Sequence, residues 1–96
     1  MRSWRSGILS GVQGNQKVTM GVGGGVTRDS RVVASITEIA KTPPGTPPTP
    51  IVGDSHMSVF SVAPQENGNV DLRIEIDWTD NTLLYRITLF IDGPGG

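Results

Sequence analysis

Asp54, Ser55 and His56 stand side by side, an acid, a nucleophile and a base of the types a hydrolytic triad requires. Their spacing defeats that chemistry. Neighbouring residues of an extended chain project to opposite sides, so Ser55 and His56 cannot meet, and His56 is the only histidine. A second set of groups, Asp71, Glu75 and Asp77, falls on alternate positions of one segment. Carboxylates two residues apart on a strand approach the roughly 5–10 Å separation used in glycoside hydrolysis. On an open face, however, nothing separates the two pKa values as acid and base roles require. Arg73 lies in the same row, and Arg86 is predicted to lie across from it. The set therefore reads as a cross-strand charge ladder that keeps one sheet face soluble. Glu75 with Asp77 is the best pair the chain offers, and no nucleophile, base and cofactor set accompanies it. The expectation is a protein without enzymatic activity.

Binding chemistry is nearly as sparse. Asp77, Asp80 and Asn81 could offer oxygens to calcium, but three ligands are too few and the loop is not an EF-hand. Trp78 and Tyr85 flank the same turn and could stack on a sugar ring while Asp80 and Asn81 bond its hydroxyls. This defines the alternative expectation, a carbohydrate- or small-ligand-binding module using loops 64–69 and 79–82. Both aromatics fall on the apolar faces of their segments, where core packing is the simpler use. Gly23-Gly24-Gly25 fits neither G-x-G-x-x-G nor the Walker A pattern, and no helix-forming segment follows it. It reads instead as a bend, a bulge or a close backbone approach. No cofactor and no metal are implied, and the chain has no cysteine for a disulfide or a thiolate metal site.

The elements that would position these residues are strands. Residues 69–91 carry the strongest pattern. Val70, Leu72, Ile74, Ile76 and Trp78 alternate with Asp71, Arg73, Glu75 and Asp77, a strict period of two. Leu83, Tyr85, Ile87, Leu89 and Ile91 then share one face of a second strand, and Leu84, Arg86, Thr88 and Phe90 the other. Between them Thr79-Asp80-Asn81-Thr82 has turn chemistry, so the two are predicted to form a hairpin. A strand over 57–63, with Ser58, Phe60 and Val62 opposite Met57, Val59 and Ser61, precedes the turn signal Asn67-Gly68. Together these predict a three-stranded antiparallel meander over 57–91. Upstream, 16–22 and 31–40 are strand candidates around a turn at Thr27-Arg28-Asp29-Ser30. The second has apolar residues on both faces, which predicts cover on both sides. Five prolines within residues 42–50 predict an extended polyproline spacer. The tail from Asp92 to Gly96 offers no side chain to pack.

The reading is one all-β domain over 1–96, a small antiparallel sandwich or open barrel of about five strands. It comprises an N-terminal arm at 1–14, a Pro-rich loop at 42–50 and the meander at 57–91. A chain of 96 residues with 35% hydrophobic content builds a modest core that self-association would supplement. Trp4, Ile8 and Leu9 on the arm either close that core or pack on a neighbouring subunit. Residues 1–41 hold six cationic and two anionic side chains, and residues 42–96 hold two and seven. The halves should attract, within a chain or between chains.

These features predict a structural, self-assembling subunit of virion, tail or filament type, with Trp4, Ile8 and Leu9 as self-association residues. The expected partner is a homo-oligomer or an assembly protein. A base-reading contact with nucleic acid is not expected, because no basic stripe is interleaved with aromatics. No apolar run reaches the roughly 18 residues of a membrane-spanning helix. The short apolar part after Arg5 is too brief for a signal peptide, which fits a cytoplasmic or virion location without assigning one.

Overall fold

The structure, a computed structural model, describes residues 1–11, 13–53, 56–78 and 83–96. Its seven strands are β1 (Arg2–Arg5), β2 (Gly14–Gly21), β3 (Arg31–Ile39), β4 (Pro50–Ile51), β5 (His56–Pro64), β6 (Asn69–Asp77) and β7 (Leu84–Asp92). They form two antiparallel sheets. One, the arm sheet, has the order β1-β7-β3-β4; the other, the hairpin sheet, has the order β2-β6-β5. The expected all-β antiparallel fold, a small sandwich or open barrel, is the fold observed, with seven strands in place of about five because β1 in the arm and β4 after the Pro-rich turn also pair.

The core lies between the two central strands. On β6, Val70, Leu72, Ile74 and Ile76 are buried, and on β7, Tyr85, Ile87, Leu89 and Ile91 are buried. Each large aliphatic side chain removed from water there contributes about 1.5–3 kcal/mol. Val18, Val22, Val32, Ala34, Ile36, Met57, Val59 and Val62 close the sides.

The meander is corrected by the pairing. β5 and β6 form the hairpin that Asn67-Gly68 signals, with Gly68 N–H donating to the Gln65 carbonyl at 3.2 Å and Gly68 at φ +87°. β6 and β7, however, belong to different sheets. Two strands with one apolar face each can lie side by side or face each other across a sandwich about 10 Å thick. Facing each other buries both apolar faces against one another, and this arrangement is the one adopted. Arg86 therefore does not cross from Arg73. It donates from Nε to the Ser6 carbonyl at 3.1 Å, while Arg73 Nη1 donates to Asn15 Oδ1 at 2.6 Å. The predicted turn at 79–82 lies outside the described residues.

Within β5 the ladder shifts between Val59 and Ser61. This bulge shifts the phase by one residue beyond Phe60, so Val62 faces the core with Met57 and Val59, while Phe60 stays outward. The simple alternation predicted for this strand is overturned by it.

The Pro-rich stretch does not run straight. Thr46 N–H donates to the Pro43 carbonyl at 3.1 Å and Gly45 has φ +85°. Pro44 followed by Gly45 is the pairing a type II turn favours, with proline fixing one φ and glycine taking the left-handed one. The chain therefore doubles back, and Pro50 and Ile51 pair with Ile39 and Glu38. The C-terminal tail also packs, through its backbone. Ser30 Oγ donates to the Pro94 carbonyl, and a Cβ on Gly95 would lie 2.5 Å from Val26 N. Gly23 N–H meets the Gly68 carbonyl at 2.8 Å. Glycines thus let three loops close over Val26, which is buried. Here the glycine run makes the close approach its sequence allows.

Candidate functional site

The arm runs along the edge of β7. Trp4 is in register with Leu89 and faces the core, and Leu9 makes an isolated bridge to Tyr85. Ser6 holds the chain between them. Its N–H donates to the Ile87 carbonyl at 2.9 Å, and its Oγ accepts from Ile87 N–H at 3.0 Å. Of the three residues predicted for self-association, Trp4 and Leu9 thus pack against this chain's own core. Ile8 is exposed.

Trp78 is half-buried against the core, and Tyr85 is only 2% exposed. The alternative ligand set is therefore not assembled around Tyr85. Asp80 and Asn81 lie outside the described residues, as do Asp54 and Ser55, and His56 begins β5 opposite Asp77. Glu75 and Asp77 stand on the outer face of the hairpin sheet rather than in a cleft, with Glu75 between Asn15 and Ser58. Among the described residues no group of three His, Cys, Asp or Glu side chains is placed to hold a metal. No helix in the described residues is long and apolar enough to cross a membrane.

The outer face of the arm sheet is the surface whose chemistry is unexplained by folding. Val33 of β3 and Phe90 of β7 are directly opposite each other there, 68% and 44% exposed. Ser3 completes their row from β1. The cover predicted for both faces of β3 is absent here. On one side the row is bounded by Arg31 and Asp92, whose ion pair measures 2.8 Å. On the other lie Arg5, Thr88 and Ser35, and beyond them Arg86 and Thr37. An aromatic and a branched aliphatic side chain, adjacent and in water, form a patch rather than an isolated exposed residue.

Charges sort between the two outer faces. The arm sheet shows Arg5, Arg31 and Arg86 against Asp92 alone. The hairpin sheet shows Asp71, Glu75 and Asp77 against Lys17 and Arg73. Thr19 Oγ1 donates to Asp71 Oδ1 at 2.8 Å. Lys17 and Arg73 face each other in register, a like-charged pair. The two halves of the sequence also attract within the chain, through Arg31–Asp92 and the 3.5 Å contact of Arg28 with Glu66.

The sheet edges are guarded. β1 has four residues and β4 has two, one of them Pro50. β5 is bulged and ends at Pro64, and β2 carries Lys17 near its middle. Short strands, bulges, proline and lysine all discourage edge-to-edge pairing. The spacing places Phe90 with Arg86 and Thr88 on one strand face, but no residue pattern signals that Val33 and Phe90 meet uncovered. The chain matches no protein-family model, no curated protein and no solved structure.

Proposed function

We propose that the chain is a structural subunit that assembles with copies of itself through the outer face of the arm sheet. The observation carrying this reading is the exposed Val33–Phe90 pair on that face, one row in from its Arg31–Asp92 end. The guarded edges support a face contact over strand addition. The modest core of a 96-residue chain supports assembly as a source of stability.

Burying the pair would contribute a few kcal/mol, on the scale of about 25 cal/mol per Å² of apolar surface removed from water. Association costs about 4–15 kcal/mol in lost freedom of motion, so the polar and charged groups around the pair must add to the contact. Sedimentation velocity over a wide range of protein concentration tests the reading. Growth of species larger than the monomer, abolished by Phe90→Lys, is expected; a monomer at every concentration would defeat it.

A further inference from the structure

Resting on the self-assembly reading above, we infer that the contact is head-to-tail. The outer face of the arm sheet of one copy seats on the outer face of the hairpin sheet of the next.

Three arginines against one carboxylate make the first face basic, and Asp92 is already engaged by Arg31. Two such faces pressed together would gather six arginines against two carboxylates, an excess of like charge that is unfavourable once water is excluded. The hairpin sheet has the opposite balance. Among the described residues the side chains of Glu75 and Asp77 have no hydrogen-bond or ion-pair partner, and neither does that of Arg5 on the other face. Phe60, at the bulge in β5, also stands exposed on the hairpin sheet, 58% in contact with water. Each face thus offers an aromatic, and their excess charges are opposite.

The two faces lie on opposite sides of a molecule 18 Å across its shortest dimension. A contact between opposite faces of the same subunit does not close on itself in a pair. It propagates into a filament or a large ring. Successive subunits would repeat every 20 Å or so, about twice the sheet-to-sheet spacing of 10 Å.

The test uses two full-length variants. One carries Val33→Lys and Phe90→Lys, blocking the arm-sheet face. The other carries Glu75→Lys and Asp77→Lys, blocking the hairpin-sheet face. Each alone is expected to be a monomer by light scattering. Their mixture is expected to give a 1:1 heterodimer and nothing larger, because one intact face of each type remains. If the second variant still assembles alone, or the mixture stays monomeric, the head-to-tail contact is wrong while wild-type assembly still stands. If the wild type is itself monomeric, the underlying reading fails instead. Salt gives a check that needs no substitution. Raising ionic strength from about 0.05 to 0.5 M shortens the screening length to a few Å. The concentration at which half of the wild type is assembled should then rise several-fold, and a fall would overturn the contact between oppositely charged faces.

Discussion

Leu9 and Tyr85 exchange both of their backbone hydrogen bonds, at 2.8 Å and 3.0 Å. The arm of this chain is thereby tied to its own sheet, as a strand over Arg2–Arg5 and again at Leu9. It covers the edge of β7, the strand whose inner side chains form half of the core.

Trp4 should accordingly matter for folding. It faces the core beside Leu89 but keeps part of its surface in water. Trp4→Ala is expected to cost about 2 kcal/mol, below the ~3–5 kcal/mol of a fully buried aromatic. Urea unfolding followed by circular dichroism measures it, and an unchanged midpoint would contradict the placement of the arm.

Ser6 is a sharper probe of the same edge. Its hydroxyl accepts from Ile87 N–H, and the residue is buried. Ser6→Ala leaves that N–H without an acceptor, a loss of about 1–3 kcal/mol. Ser10→Ala, at an exposed position on the same segment, should stay within about 0.5 kcal/mol of wild type.

Tyr85 predicts an alkaline transition. Burial pushes its phenol above the ordinary value. From about pH 10 upward, the ordinary tyrosine range, the unfolded chain gives up the proton while the folded chain keeps it. The unfolded state then binds fewer protons, so stability falls as pH rises. Tyr85→Phe should remove this decline from a series of denaturant titrations above pH 9, a range set by the same tyrosine value.

Asp92 acts at the opposite end of the pH scale. The hydrogen bond from Arg31 holds its carboxyl below the usual aspartate value, helped by a backbone bond from Gly93. Its stabilising effect is present above that usual value and is lost as pH falls through the depressed one. NMR titration of the Asp92 carboxyl should show its pKa rising toward the ordinary aspartate range in Arg31→Ala. No movement would mean the ion pair does not form in solution.

The five longer strands were legible in the sequence because burial imposes a period of two, whereas β1 and β4 are too short to show one. Val70 to Ile76 and Tyr85 to Ile91 each mark their inner face without ambiguity. Their mutual placement was not legible, because the same alternation suits two neighbours in one sheet or two strands facing across a core. The bulge at Phe60 escaped for a related reason: one extra residue reverses the inward phase, and either phase of 57–63 offers apolar side chains. Pro44-Gly45 did carry a turn signal, masked by the prolines around it. At the candidate site, the grouping of Phe90 with Arg86 and Thr88 could be read from spacing. The exposure of Val33 could not, since Val32 and Val33 are equivalent until the sheet chooses which one faces β6.

The most direct test of the account is the native mass of the full-length chain, measured by light scattering across a concentration series beside Phe90→Lys. The wild type is expected to grow well beyond the monomer as concentration rises, and the folded variant to stay monomeric. A wild type that remains a monomer throughout, or a variant that assembles as well as the wild type, would contradict it.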